Sequence, residues 1–291
     1  MIDRRTFLAV GSAAALASAA PPRPRRKIKM ALKYGMIGAG STVLEKFQLA
    51  ADVGFDGVEM DSPNGFDTAE VLAAKQATGL AIPGVVDSAH WHVTLGDPDP
   101  AVRARGVAAL ETALRDCKAY GGTTVLLVPG VVNADLPYHL VYERSQAEIR
   151  KALPLARELG VKIAFENVWN NFLLSPLEAA RYVDELGDDV CGWFLDVGNL
   201  VRFAWPEHWV QALGPRILKL DVKEYSRKKQ NEEGLGKGFQ VKIGEGDCGW
   251  PRVMAALDEI GYEGWASAEV GGGGRERLED ILARMRRVLD V

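Results

Sequence analysis

Four acidic residues each follow a short apolar run in the second half of the chain: Glu166 after "VKIAF", Asp196 after "CGWFL", Asp221 after "RILKL" and Glu269 after "GWASA". Each run has the length and composition of a buried strand, which would place each carboxylate at the C-terminal end of a strand. Carboxylates held close together repel one another and raise one another's pKa. A divalent cation relieves that repulsion, so the pattern predicts a metal site made of these four residues.

An all-oxygen ligand set favours a hard or borderline metal. One Mn²⁺ or Mg²⁺ ion is therefore the expected cofactor, while Co²⁺ and Zn²⁺ are also compatible. The alternative is that each carboxylate forms an ion pair with a lysine or arginine at the rim of the fold. Four carboxylates in equivalent positions favour the metal over four separate ion pairs.

These carboxylates need a fold that gathers strand ends on one face. From residue 33 onward, short apolar runs alternate with helical patterns, beginning with the strand "LKYGMI". The alternation calls for a parallel sheet, and eight strand–helix units in about 260 residues predict a single-domain (β/α)8 TIM barrel of the α/β class over residues 33–291. An open doubly wound sheet is the alternative, although the glycine-rich stretch "GMIGAGSTV" lacks the spacing of a dinucleotide site.

The first twenty residues have the layout of an export signal. Arg4 and Arg5 precede an apolar run that ends in small residues, which resembles a twin-arginine signal peptide. We expect residues 1–20 to direct export to the periplasm or beyond, residues 21–32 to form a linker, and no stable membrane anchoring. The alternatives are a start codon placed too early and a membrane anchor, for which the run is shorter than the roughly 20 residues that span a bilayer.

The composition narrows the classes of partner. The 291 residues are 47% hydrophobic with a net charge of −4, and they contain no basic stripe with interleaved aromatic residues, so we expect no nucleic acid partner. The three cysteines have no metal-type spacing and are predicted to be buried free thiols. A homo-oligomer is compatible with the sequence, which does not decide the oligomeric state.

The stretches "FENVWN", "FLDVGN", "RILKLDVKEYSR", "IGEGD" and "GWASAEV" resemble the sugar phosphate isomerase/epimerase family, whose xylose isomerase-like barrel includes D-tagatose 3-epimerase-like enzymes. The resemblance extends from about residue 33 to the end of the chain. It implies that Glu166, Asp196 and Glu269 are metal ligands and that the two glutamates are the catalytic acid/base pair. Asp221 stands where the family has a histidine ligand, which leaves the metal and the reaction less defined.

Further residues are candidates for substrate binding. The resemblance implies this role for Asn199, three residues after Asp196, and for Arg227, six residues after Asp221. Independently of it, His90 and His92 follow the third predicted strand and could bind substrate hydroxyls or transfer protons; the alternative is a histidine that caps the loop.

Two other features face the same predicted surface. Trp169 could form an apolar wall for a sugar, although packing at the barrel rim explains it equally well. The polar stretch from Tyr225 to Gly246 is longer than an ordinary connection. Its lysines could bind a phosphate or belong to a solvated lid, and the lid is the favoured interpretation.

The sequence thus predicts a metal-dependent sugar isomerase or epimerase that acts on a keto-sugar through α-proton abstraction and an enediolate. Its partner would be a small-molecule sugar, and a free sugar if the enzyme is exported. The alternatives are a lyase or hydrolase of 3-keto-glycosides that uses the same site, and a metal-dependent hydrolase. The pair Glu166 and Glu269 argues against a protein that only binds sugar.

Overall fold

The computed structural model describes residues 26–290, which form a closed parallel barrel surrounded by helices, as predicted. The predicted export signal and residues 21–25 of the predicted linker lie outside the described residues, so they stay predictions. Among the helices of the described part, none has both the length and the apolar character needed to cross a membrane.

The eight strands follow one another around the barrel in chain order, and β1 pairs with β8 to close it. They are β1 (Ile28–Lys33), β2 (Gly57–Ser62), β3 (Gly84–Asp87), β4 (Thr124–Leu127), β5 (Lys162–Glu166), β6 (Cys191–Asp196), β7 (Ile217–Val222) and β8 (Gly264–Ala268). An open doubly wound sheet is therefore excluded.

The connections between strands are mostly helical. The helices are α1 (Val43–Val53), α2 (Thr68–Thr78), α3 (Pro100–Tyr120), α4 (Tyr138–Leu159), α5 (Pro176–Leu186), α6 (Val197–Val201), α7 (Pro206–Leu213), α8 (Arg227–Glu233), α9 (Trp250–Glu259) and α10 (Arg275–Leu289). Short 3-10 turns occur at Tyr34–Met36, Gly214–Arg216 and Leu235–Phe239.

The first strand lies earlier in the chain than predicted. The prediction placed it at residues 32–37, whereas β1 begins at Ile28, which pairs with Gly264 of β8, and a 3-10 turn follows it. The buried side chains of Ile28, Met30 and Leu32 explain the shift. Because basic residues alternate with these apolar ones, residues 28–32 resembled a linker although they belong to the barrel.

Two apolar layers stabilise the barrel. The larger one lies between strands and helices and includes Phe165, Trp193 and Trp209. The smaller one is formed inside the barrel by Leu126, Ala164 and Phe194. The three cysteines are buried and unpaired, as predicted.

Candidate active site

The carboxyl ends of the strands border a cavity of about 480 Å³. This is the face on which TIM-barrel enzymes carry their active sites, because the loops after the strands converge there. The wall of the cavity includes the side chains of Lys33, His90, Glu166, Trp169, Asn199, Lys223 and Glu269.

The barrel brings the four predicted carboxylates together. Glu166 ends β5, Asp196 ends β6, Asp221 lies in β7 beside Asp196, and Glu269 directly follows β8. One oxygen atom from each residue lies within 4.8 Å of the corresponding atoms of the other three. Carboxylates that are distant in sequence therefore form a single acidic cluster at the cavity.

Two lysines lie within this acidic cluster. Lys33 Nζ is 2.9 Å from Asp221 Oδ1, and Lys223 Nζ is 2.8 Å from Asp196 Oδ2 and 3.3 Å from Glu269 Oε2. The ion pairs that were the alternative to a metal site thus occur together with the acidic cluster. The ion pairs do not replace the acidic cluster, because the four carboxylates remain close enough together to bind one ion.

A second layer of charge lies below the acidic cluster. The Lys33 ammonium also donates to Glu59 Oε2 at 2.7 Å, and Lys219 Nζ donates to Glu59 Oε1 at 3.1 Å. Burial raises the pKa of Glu59, but the charges of Lys33 and Lys219 outweigh it and lower that pKa to about 2. Glu59 is therefore an ionised, fully paired carboxylate that positions Lys33 in the cavity wall.

The acidic cluster has the properties of a cation site. Asp196 Oδ2, Asp221 Oδ1 and Glu269 Oε2 are buried and have lysine ammonium groups as ion-pair partners. Asp221 Oδ2 is also buried, and it accepts no hydrogen bond from any residue between 26 and 290. Buried polar atoms nearly always have a partner, and an ion is one recognised explanation for an exception. Oxygen donors only, within 4.8 Å of one another, suit a hard divalent metal.

The pKa values reflect crowding of negative charge. Burial raises the pKa of Glu166 well above its ordinary value, and the neighbouring carboxylates raise it further. Burial also raises the pKa of Asp221 well above its ordinary value, although Lys33 opposes this. In Glu269, burial raises the pKa, but Lys223 and Lys33 outweigh it and leave that pKa below the ordinary value.

Asparagine side chains fix the ends of β5 and β6. Asn167 Oδ1 accepts hydrogen bonds from the Trp193 indole and the Asp196 backbone, and its Nδ2 donates to the Asp196 carbonyl. Asn199 donates through its backbone N–H to Asp196 Oδ1 at 2.8 Å, and its side-chain Nδ2 lies 3.5 Å from Glu166 Oε1. Asn199, predicted as a substrate contact, therefore lines the cavity and also orients two carboxylates.

The two predicted histidines have different surroundings. His90 is buried, lines the cavity and accepts a hydrogen bond at Nδ1 from the Val128 backbone N–H. Burial lowers its pKa to about 4, so the ring is neutral at neutral pH and carries its proton on Nε2. His92 is exposed and is not part of the cavity wall. The structure therefore supports a site position for His90 and not for His92.

Arg227 does not reach the cavity. Its guanidinium donates to the carbonyls of Val201 and Ala204 and lies 5.0 Å from the centre of the Trp205 ring. These contacts tie α8 to the end of α6 and to the loop between α6 and α7, so Arg227 is a structural link in this conformation. Trp169 does line the cavity, as predicted.

The stretch after β7 is more ordered than a solvated lid. It contains α8 and a 3-10 turn, and Phe239 from that turn packs on Trp169 with ring centres 4.8 Å apart. Lys229 donates to the Gln240 carbonyl. The segment therefore closes one side of the cavity with an aromatic wall.

Lys33 and Lys223 were not identified from the sequence, although a signal for Lys223 was present. In "LKLDVKE", Lys219, Asp221 and Lys223 are two residues apart, so all three face the same side of one strand. Charged residues at alternate positions along and just after a buried strand indicate an internal charge network. Lys33 was overlooked because its strand was placed too late in the chain.

Comparisons with known proteins place the chain among sugar epimerases in sequence and in fold. L-ribulose-5-phosphate 3-epimerase UlaE of Escherichia coli (strain K12) is 26% identical over 279 residues, which cover 91% of this chain and 94% of that protein. D-allulose 3-epimerase from Methylomonas sp., solved in complex with D-allulose, superposes with a TM-score of 0.70 at 19% identity and covers 92% of this chain and 94% of its own. The E. coli 3-keto-D-glucoside 4-epimerase YcjR has a TM-score of 0.76 at 15% identity over 91% of this chain and 100% of its own.

The two solved structures establish similarity of fold, and the sequence relative is an enzyme of the isomerase class. The predicted resemblance to sugar isomerases and epimerases is confirmed. Residues 47–289 match the xylose isomerase-like TIM barrel family, and the chain therefore belongs to that family.

Proposed function

We propose that the protein is a divalent-metal-dependent epimerase of a keto-sugar. Glu166, Asp196, Asp221 and Glu269 would hold the metal, and the two glutamates would also act as the acid/base pair. The observation that carries this proposal is the acidic cluster, with four carboxylates within 4.8 Å at the catalytic face of the barrel. The three similar proteins described above are named as sugar epimerases, which supports the proposal.

The charges of the site favour one divalent cation. The four carboxylates contribute four negative charges, and Lys33 and Lys223 contribute two positive ones, which leaves a net charge of −2. One divalent ion would bring this sum to zero. The same ion would provide a partner for Asp221 Oδ2, a buried oxygen that accepts no hydrogen bond from residues 26–290.

Glu166 and Glu269 approach the cavity from different sides, because β5 and β8 are separated by two strands along the barrel wall. A carboxylate oxygen of one would remove the proton from the carbon next to the substrate carbonyl. The carboxyl group of the other would return a proton to the opposite face of that carbon, which inverts its configuration. A bound divalent metal would polarise the carbonyl and the neighbouring hydroxyl, which makes that proton more acidic.

Other side chains of the cavity would position the sugar. The neutral His90 ring has an Nε2–H to donate to a substrate oxygen, because its Nδ1 already accepts from Val128. Trp169 and Phe239 present aromatic surface to the cavity, which suits the C–H faces of a sugar and limits access of water to the reacting carbon.

The test is hydrogen exchange in D₂O. Protein loaded with Mn²⁺ and incubated with a panel of keto-sugars should place deuterium at the epimerised carbon. The variants Glu166→Gln and Glu269→Gln should each reduce the rate of epimerisation by about a hundredfold or more, because inversion needs a proton-transfer group on each face of the carbon. Glu232→Gln, an exposed position on α8, is the matched control and should exchange like the wild type.

Two results would contradict the proposal. One is the absence of exchange with every keto-sugar in the panel, and the other is an undiminished rate of epimerisation by Glu166→Gln. Metal analysis of the purified wild type provides an independent measurement, because fully active protein without divalent metal would exclude the metal-dependent mechanism.

Elimination from a 3-keto-glycoside and metal-dependent hydrolysis would use the same residues. Neither is favoured, because the named activities of the relatives are epimerisations. We also propose, from the sequence, that residues 1–20 direct export. Release of the mature chain into the periplasm, lost when Arg4 and Arg5 are replaced by lysine, is the expected outcome.

A further inference from the structure

We infer that the cavity selects an uncharged sugar over its phosphate ester. The inference rests on the proposed function, and it concerns the class of substrate. It follows from the charges around the cavity, independently of where the protein is located. The relative UlaE is named for a phosphorylated sugar, so this chain would differ from it in substrate class.

Both ammonium groups in the cavity wall already have anionic partners. Lys33 pairs with Glu59 and Asp221, and Lys223 pairs with Asp196 and Glu269. Lys223 also lies 3.3 Å from the Asn199 side-chain oxygen. A phosphate in the cavity would have to compete with these internal carboxylates for each lysine.

The total charge around the cavity is negative. Six carboxylates line the cavity or pair with its lysines, and three ammonium groups lie among them, which gives a net charge of −3. These groups are Glu59, Asp61, Glu166, Asp196, Asp221 and Glu269 with Lys33, Lys219 and Lys223. One divalent cation would leave −1. A phosphate dianion would therefore enter a cavity of like charge, in which screening by water is reduced.

Arg202 is an exposed cation near this cavity. Its guanidinium lies 4.8 Å from the centre of the Trp169 ring. Including Arg202 brings the total charge with one divalent cation to zero, so even then a dianion gains no net attraction. A neutral sugar avoids this cost and retains contact with Trp169 and Phe239, which line the cavity.

The glycine run Gly271–Gly274 is the place where a phosphate would most be expected, because the loops after the last strands of TIM barrels often bind one at a helix N-terminus. Here this run packs against the loop after β1. The Gly273 N–H donates to the Met36 carbonyl, and a Cβ on Gly272 would overlap the same carbonyl oxygen. These glycines therefore serve close packing between β8 and β1.

The cation beside the glycine run is also engaged. Arg277 donates through Nε to the Gly271 carbonyl at 3.0 Å and through Nη1 to Asp280 at 3.1 Å. Its guanidinium thus fixes the loop after β8 and shares the carboxylate of Asp280 with Arg284 and Lys242. The negative charge around the cavity and the packing of the glycine run together favour an uncharged substrate.

The experiment compares matched pairs that differ only in a terminal phosphate, such as ribulose with ribulose 5-phosphate and fructose with fructose 6-phosphate, using metal-loaded protein. We expect kcat/KM to be higher for the neutral member by at least about tenfold, which corresponds to ~1.4 kcal/mol. Because like-charge repulsion is screened by salt, the ratio of kcat/KM between the neutral sugar and its ester should fall as ionic strength rises. Asp61→Asn, which removes one negative charge from the cavity wall, should also lower this ratio, by about threefold to tenfold.

The possible outcomes are distinct. Equal or greater activity on the esters overturns the inference and leaves the proposed function standing; loss of that activity in Arg202→Ala or Arg277→Ala would identify the phosphate site. A preference for neutral sugars that does not respond to salt or to Asp61→Asn overturns the electrostatic explanation. Absence of exchange with either member of every pair overturns the proposed function itself.

Discussion

Lys33 and Asp221 form a charge pair at the centre of the site. The ammonium lies 2.9 Å from Asp221 Oδ1 and is supported from below by the Phe194 ring, whose centre is 4.5 Å from Nζ. Burial lowers the pKa of Lys33, but Asp221 and Glu59 raise it well above its ordinary value, so the group stays charged. The pair adds no net charge, which is how the barrel accommodates a fourth carboxylate among the other three.

This pairing predicts a coupled effect on metal binding. Asp221→Asn should weaken Mn²⁺ binding, because a ligand charge is lost while the Lys33 ammonium remains beside the metal. The double variant Lys33→Met/Asp221→Asn should bind Mn²⁺ about tenfold more tightly than Asp221→Asn, because that uncompensated charge is gone. Glu59 keeps Lys219 as a partner in the double variant.

The measurement is calorimetric titration with Mn²⁺, with circular dichroism to establish that each variant is folded. If the double variant binds Mn²⁺ no more tightly than Asp221→Asn, Lys33 and Asp221 act independently and the pairing has no role at the metal.

At the scale of elements, the acidic cluster depends on the register of the strands and on the loops that follow them. Asp196 lies directly opposite Asp221 in the β6–β7 ladder, so a shift by one residue would turn one carboxylate out of the barrel. The loop after β8 carries Glu269 and is joined to the loop after β1 through Gly38 and Gly273. Packing between these two loops therefore positions a proposed catalytic glutamate.

The glycine run offers a test of this packing. Gly272→Ala should destabilise the protein by about 1–3 kcal/mol, because the added methyl group would overlap the backbone of Met36 and the loop would have to move. Gly274→Ala is the matched control, since a Cβ there meets no heavy atom within 4 Å, and it should change stability by less than about 0.5 kcal/mol. Urea denaturation of both variants measures the difference.

Affinity for Mn²⁺ is a second measurement on these two glycine variants. Gly272→Ala should also weaken Mn²⁺ binding because it displaces Glu269, whereas Gly274→Ala should not. Equal stability and equal affinity for the two variants would show that the contact with Met36 has no part in positioning the site.

At the scale of the whole molecule, the acidic cluster makes stability depend on metal and on pH. Glu166 and Asp221 have pKa values raised well above the ordinary 4.5 and 3.8, chiefly by burial. Above those ordinary values the folded metal-free protein binds more protons than the unfolded chain, so its stability falls as pH rises. Glu59 has the opposite effect on stability, because its pKa is lowered to about 2. Its stabilising contribution is therefore lost only as the pH falls below 4.5.

The expected result is metal stabilisation that grows with pH. Removal of divalent metal by a chelator should lower Tm, and the loss should be larger at pH 8 than at pH 5, because metal binding must displace protons from Glu166 and Asp221 at the lower pH. At a metal concentration of a hundred times Kd, binding to the folded state alone contributes about 2.7 kcal/mol.

Differential scanning calorimetry with and without Mn²⁺ provides the measurement. A metal effect on Tm that is the same at both pH values, or larger at pH 5, would contradict the proton displacement. Glu232→Gln, on the exposed surface of α8, should respond to metal and pH like the wild type.

The sequence by itself determined the barrel and the four carboxylates. Apolar runs that alternate with helical patterns require a parallel sheet, and each of the four acidic residues directly follows such an apolar run in the sequence. These are local properties of the chain. For the same reason the resemblance to sugar isomerases and epimerases could be recognised from short stretches such as "FENVWN" and "FLDVGN".

Only the tertiary structure decided which charges meet. Lys33 and Asp221 form an ion pair although they are far apart in sequence, and Lys33 lies in a strand whose limits depend on pairing with β8. His90 and His92 look equivalent in the sequence, yet burial separates the one that lines the cavity from the exposed one. Arg227 likewise follows the family spacing, but carbonyl partners on a neighbouring loop hold it away from the cavity. Contacts between distant segments are fixed by closure of the barrel, and no local pattern contains them.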